Sequence, residues 1–456
     1  LTQTDSRDLE PIRRRDDLLL PFVEAFKPRA DWRIGPEAEK FGVFADGKPV
    51  PYSGDRSVLR VLEHLEKTYG WKPEREHEGA PVIALLRGGA SVTLEPGAQL
   101  ELSGGMAKDV HEVCAEFRAH LKEIGPLSRE LGITWLGVGF HPFARREDFE
   151  WVPKQRYGVM RKYLPTRGGH AVDMMLRTCT VQVNLDYRDE ADAMRKMRVS
   201  LALAPATTAM FANSPWEEGK ANGGVTGRGR TWLDVDPDRS GLLPALWKRG
   251  AGFEQYVEWA LDVPMFVFKR GGHAITNTGQ TFRSFLDDGY EGHRPNVDDW
   301  KTHLNTIFTD VRLKKTIEIR GADVQRTDMV CALPALWTGI LYDDRALAEA
   351  EALVEGWSYD EVLDLRGRVW RDGLRATFRG RPLADVAQRL VAIGRGGLER
   401  RAIVDRACGK DETVHLARLA SLVSKGWCPA DALLDGMDRE KDPRAAIIAR
   451  TALVWE

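Results

Sequence analysis

Five segments of this chain, far apart in sequence, alternate polar and apolar residues with a period of two: "RIGPEAEKFGV", "SVTLE", "AQLELS", "TVQVNLDY" and "KKTIEIRG". A strand sends successive side chains to opposite faces, so the pattern commits each segment to a sheet with one apolar and one polar face. In "TVQVNLDY", Val181, Val183 and Leu185 oppose Thr180, Gln182, Asn184 and Asp186. In "KKTIEIRG", Ile317 and Ile319 oppose Thr316, Glu318 and Arg320. Leu94, Leu100 and Leu102 likewise oppose Glu95, Gln99 and Glu101, with a turn at Pro96-Gly97.

Between these segments the period lengthens. Residues 8 to 27 are predicted helical from Leu18, Leu19, Phe22, Val23 and Phe26, and so are 109 to 130 and 188 to 211. From about 345 onward the pattern is mostly helical, including "PLADVAQRLVAIGRGGLERRA" and "CPADALLDGMD", where Pro429 suits a first helical turn. Dispersed strands with helices on one side and at the end predict an α+β fold around a largely antiparallel sheet. No internal repeat or low-complexity tract divides the chain, and residues 1–456 are read as one continuous catalytic domain.

A hydrophobic content of 43% supports a substantial core, and 66 basic against 68 acidic residues leave a net charge of -2. That balance supplies no global field for nucleic acid or an anionic membrane. No stretch approaches the roughly 18 apolar residues of a membrane span. "LTQTDSRDLEPIRRRDD" has no apolar core of a secretion signal, so a soluble, cytoplasmic protein is expected. Cys114, Cys179, Cys331, Cys408 and Cys428 are too scattered for a disulfide framework, none are at zinc-ligand spacing, and thiols are expected.

The polar faces carry the chemistry. Glu37 and Glu39 point the same way, and if the strands share a sheet, Glu95, Glu101 and Glu318 join them. Two carboxylates about 4 Å apart repel by roughly 4 kcal/mol at an effective dielectric near 20, so such a cluster needs water, protons or cations between its members. All-oxygen ligands favour Mg²⁺ or Mn²⁺. A merely solvated acidic face is the competing reading, and parity alone leaves both open. The Gly-rich "GVTGRGRTWLDVDPDR" carries Arg228, Arg230 and Arg239 and reads as a loop able to clamp carboxylate or phosphate, or as a solvated basic loop. Trp232 is a packing anchor or a lid. Arg320 shares the strand face of Glu318. Metal-holding acids with anion-holding arginines are the parts of a phosphoryl-transfer site. His141 and His170 read as structural, "VDMMLR" as core, and "IGRGGLERR" matches no nucleotide-binding pattern.

Together, "DWRIGPEAEKFG", "SVTLEPGAQLELSG", "VDMMLRTCTVQVNLDY", "LALAPATTAMFANSPWEEGKANG", "RTWLDVDPDRSGLLP", "FEQYVEWALDVPMF" and "LKKTIEIRGAD" closely resemble, in order, the plant and proteobacterial type of glutamate–cysteine ligase. The resemblance implies a carboxylate–amine ligase fold related to glutamine synthetase, with a curved antiparallel sheet forming an active-site funnel. It implies that ATP and about two or three Mg²⁺ ions, or Mn²⁺, serve to phosphorylate glutamate, and that the cysteine amine then attacks the acyl phosphate. Glu37, Glu39, Glu95, Glu101 and Glu318 would be metal ligands, with Glu318 and Arg320 catalytic. Arg228, Thr180, Gln182 and Trp232 would bind substrate, and Lys40 and Arg230 would contact the nucleotide. Monomer and homodimer are both open.

The chain departs from the family at Ala38, where a histidine is usual, and at Phe266, where plant sequences carry tyrosine. Ala38, as the middle residue of a strand triplet, should point away from the metals. These changes motivate the alternative of a related ligase that joins glutamate or another acid to a different amine. Cys114 and Cys331 match one of two disulfide pairs of the plant members, whereas Asn277 replaces a cysteine of the other. A Cys114–Cys331 bridge is left open, with a reduced pair the expectation in a bacterial-type cytoplasm.

Overall fold

The computed structural model describes residues 10–454 except Gly272. Nine strands form one open sheet: β1 (Ile34–Val43), β2 (Lys72–Glu74), β3 (Ala84–Arg87), β4 (Ala90–Leu94), β5 (Leu100–Ser103), β6 (Thr134–Leu136), β7 (Val181–Leu185), β8 (Val311–Leu313) and β9 (Ile317–Ile319). Their order is β8-β9-β7-β1-β5-β4-β3-β2, with β6 alongside the end of β1, and every pairing is antiparallel.

The register converts sequence parity into two faces. Ala38 stands opposite Leu102 on one side and Val181 on the other, so its methyl joins the apolar face. Glu39 pairs with Glu101, Glu37 with Gln182, and Glu318 with Asn184, all on the polar face. The hairpin between β4 and β5 closes through Ala98, which adopts a left-handed φ of 65°, and its amide donates to the Glu95 carbonyl at 2.9 Å. Gly97 is required there, because a Cβ would stand 2.8 Å from the Leu176 carbonyl.

Six helices place the layers around the sheet: α1 (Val110–Glu130), α2 (Ala171–Arg177), α3 (Glu190–Ala202), α4 (Gly227–Thr231), α5 (Ala332–Leu341) and α6 (Leu383–Arg401). Asp109 caps α1 by accepting from the Glu112 amide. Every residue of α5 is buried, and this helix packs against β7 and β1 on one side and α6 on the other. The glycines of "IGRGG" serve that crossing. A Cβ on Gly394 would meet Leu336 Cδ1 at 2.8 Å, and one on Gly397 would fall 1.8 Å from the Gly339 carbonyl oxygen. One hydrophobic cluster runs from Leu18 to Leu453.

The helix expected over 8–27 is corrected, its first two residues lying outside the described ones. A 3₁₀ turn (Arg15–Leu18) is followed by a single α-turn (Leu20–Val23), because Pro21 cannot donate the amide that would continue the ladder. The stretch 188–211 is likewise two helices, α3 and Ala204–Met210, with Pro205 near the start of the second. Cys114 and Cys331 form a disulfide with Cα atoms 5.9 Å apart, correcting the expectation of a reduced pair. Folding brings the first turns of α1 and α5 together, which the separation of 217 residues hides.

Candidate active site

The polar face floors a cleft of about 310 Å³ lined by Glu37, Glu39, Glu95 and Glu101 on one wall and by Arg228, Arg312 and Arg320 on another. Its polar residues are held by hydrogen bonds. The Thr180 amide donates to Glu39 Oε2 at 2.8 Å, and its hydroxyl donates to the Ala322 carbonyl at 2.7 Å. Asn184 Nδ2 donates to Glu37 Oε1 at 2.8 Å, and the Thr93 hydroxyl donates to Glu101 Oε2 at 2.5 Å. Arg320 Nη1 donates to Gln182 Oε1 at 2.7 Å.

Arg228 is placed by α4, whose N-cap Thr226 accepts from the Gly229 amide. Buried Asp323 anchors that cap, accepting from the Thr226 hydroxyl at 2.9 Å and the Ser214 hydroxyl at 2.7 Å. The segment expected to be a loop is therefore helical where it matters. Trp232, at the C-terminus of α4, lines the same cleft, and its indole Nε1 is buried with no partner.

The acids carry an unrelieved electrostatic load. Burial, with Glu318 and Glu101 nearby, pushes Glu37 up to about 7. Burial and the charges of Glu95 and Glu101 hold Glu39 well above the usual carboxylate range, and burial with Glu95 raises Glu101. Among the described residues no three glutamate oxygens converge within 4.8 Å.

Three of the predicted site residues are engaged by partners of their own. Glu318 is fully buried and bound through both oxygens to Arg312, at 2.5 and 3.0 Å, with Arg320 at 3.3 Å and Lys314 at 3.6 Å. Burial alone would raise its carboxyl, but these cations outweigh it and hold it well below the usual range. Glu318 thus stays on the polar face held by Arg312, its direct cross-strand partner, behind the cleft-lining Arg312 and Arg320. Lys40 lies on the apolar face, where its ammonium meets the Leu100 carbonyl at 3.2 Å and His120 Nε2 at 3.3 Å. Arg230 turns away from Arg228, since residues two apart on a helix diverge by about 200°, and pairs with Glu217 at 2.6 Å.

Arg239 is also structural. Fully buried, it bonds Asp236 at 2.7 Å and lies 4.0 Å from the ring of Phe266. Phe266 packs behind Phe308, which itself lines the cleft. His141 accepts from the Ala144 amide at 2.9 Å, and His170 meets Asp173 at 3.1 Å, both as expected of structural histidines. Met175 is buried in the core and Met174 packs against it, as expected, and both also border the cleft. Arg312 and Lys314 were missed; the alternation of "VRLKK" opposite "TIEIR" was the signal for them.

An open antiparallel sheet presenting acids and arginines to one cleft fits the fold of known ligases. A solved ligase of that fold, glutamate–cysteine ligase from Francisella tularensis in complex with AMP, superposes with a TM-score of 0.56 at 11% identity, covering 93% of this chain and 88% of that one. The model of glutamate-cysteine ligase family 2 matches residues 33–447, and the chain belongs to that family. The chloroplastic glutamate–cysteine ligases of Brassica juncea and Arabidopsis thaliana are each 43% identical over 430 residues, which is 93% of this chain and 81% and 80% of theirs. The protein is accordingly an ATP-dependent ligase.

Proposed function

We propose that the protein joins the γ-carboxylate of glutamate to the amine of cysteine, through a γ-glutamyl phosphate, as the first step of glutathione biosynthesis. The observation that carries this reading is the wall of buried glutamates with raised proton affinity facing Arg228 and Arg320. Glu37, Glu39, Glu95 and Glu101 would hold Mg²⁺ or Mn²⁺, which supplies charge neutralisation and in-line alignment of the nucleotide phosphates.

Arg228 anchors the α-carboxylate of glutamate, with Trp232 lining the same cleft, leaving the γ-carboxylate free to attack the terminal phosphorus of ATP and displace ADP. Arg320, braced by Gln182 at 2.7 Å, faces the transferred phosphoryl group and stabilises its charge as bonds exchange. Attack of the amine on the acyl carbon then expels phosphate, and the amine proton passes to solvent or to the departing phosphate. No protein nucleophile is needed. A cytoplasmic setting belongs to the same proposal.

Mass spectrometry of products formed from ATP, Mg²⁺, glutamate and a panel of amines tests the reading. γ-Glutamylcysteine, ADP and phosphate in equal amounts are expected. A different adduct with none from cysteine would establish the related-ligase alternative, for which Phe266 behind the cleft is the structural motive. Background phosphate release with every amine would refute both.

A further inference from the structure

The disulfide lies outside the cleft, where α1, the start of α5 and the 3₁₀ turn Glu412–Leu416 meet. A third side chain able to ligate a metal stands beside it: Cys114 Sγ is 3.3 Å from His415 Nδ1. The ligand atoms of Cys114, Cys331 and His415 all lie within 4.8 Å of one another, the one such group among the described residues. We propose that, once the bridge is reduced, these three side chains form a zinc site of the Cys₂His type.

The geometry is near that of the bound state. With Zn–S of about 2.3 Å and Zn–N of about 2.0 Å, a tetrahedral ion separates sulfur from nitrogen by about 3.6 Å and sulfur from sulfur by about 3.8 Å. The first separation already exists to within a few tenths of an ångström, and the second is reached when the sulfurs part. Cys331 and His415 are half-buried, leaving an entry path and a fourth position open to water.

The surroundings complete what a zinc histidine requires. His415 Nε2 is 3.0 Å from His111 Nδ1, so with the metal on Nδ1 the remaining ring proton has an acceptor. Cys331 is the N-cap of the ten-residue α5, where the positive end of the helix dipole favours a thiolate.

The chemistry balances with an external dithiol as reductant. The dithiol gives two electrons and two protons to the S–S bond and closes to its own disulfide. Zn²⁺ then displaces both thiol protons and takes the Nδ1 lone pair of His415. The site is independent of the glutamate cleft, so the two readings stand or fall separately.

The full-length protein is reduced anaerobically with dithiothreitol, freed of it, loaded with Zn²⁺ in excess Mg²⁺, and gel-filtered before metal analysis. One zinc per chain is expected after reduction and none in the oxidised protein. Co²⁺ loading should give thiolate-to-metal charge-transfer bands in the reduced protein alone. His415→Gln should lose at least tenfold in affinity, and His111→Ala 10- to 100-fold, with circular dichroism unchanged. Equal zinc in reduced and oxidised protein, or Co²⁺ spectra without thiolate bands, would overturn the proposal without recourse to any variant. Undiminished affinity in a folded His415→Gln protein would overturn it as well.

Discussion

Replacing Glu37 with glutamine should stabilise the metal-free protein while destroying its activity. The Glu37 carboxyl sits at about 7 rather than its ordinary 4.5, chiefly through burial and then through Glu318 and Glu101. The folded state therefore holds a proton that the unfolded state has released, and stability falls as pH rises from about 4.5 to 7. A difference of about 2.5 pH units corresponds to at most about 3 kcal/mol. Glutamine keeps the oxygen that accepts from Asn184 Nδ2 and removes the charge. For 456 residues, an unfolding entropy of about 2.1 cal/mol/K per residue makes 1 kcal/mol worth roughly 1 °C.

Scanning calorimetry in EDTA should accordingly place Glu37→Gln up to about 3 °C above wild type at pH 8, and level with it at pH 4.5. In saturating Mg²⁺ and ATP the order should reverse, because wild type gains binding energy that the variant lacks. Ligation should fall at least 100-fold. A variant that melts at or below the wild-type temperature in EDTA at pH 8 would refute the assignment of stored repulsion to this wall. One that keeps full Mg²⁺-dependent activity would refute its use.

Arg312→Met should destabilise by at most about 3 kcal/mol, because the fully buried Glu318 loses its two-pronged partner but keeps Arg320 and Lys314 nearby, and Arg312→Met/Glu318→Leu should recover most of that in urea unfolding. Arg228→Lys should lower kcat/KM for glutamate about 10- to 100-fold through loss of the planar fork, measured by phosphate release. Lys40→Met should leave KM for ATP within about twofold, since its ammonium faces the apolar layer. Burial lowers Lys40 to about 8, so wild-type stability should climb between pH 8 and 10.5 as the unfolded chain holds the extra proton. The variant should flatten that rise in melting curves.

The reach of sequence reasoning differs from residue to residue. Parity placed Glu37, Glu39, Glu95 and Glu101 together because it is a property of the strand itself, and pairing only had to stack those strands in register. The same parity put Lys40 on the opposite face; the nucleotide role assigned to it came from resemblance and ran against it. Arg228 and Arg230 looked equivalent while their segment read as a loop, and parted once Thr226 capped a helix.

Sequence by itself therefore determined which side chains share a face, where strands give way to helices, and the family to which they belong. All of these depend on neighbours within a few positions or on patterns kept in order along the chain. Only the tertiary structure decided that Arg312 would take Glu318 for itself, that Asp323 would hold the helix of Arg228, and that His415 would come to rest beside Cys114. Those partners are brought together by burial of a common core, and a contact made that way leaves no periodic mark on the residues that make it.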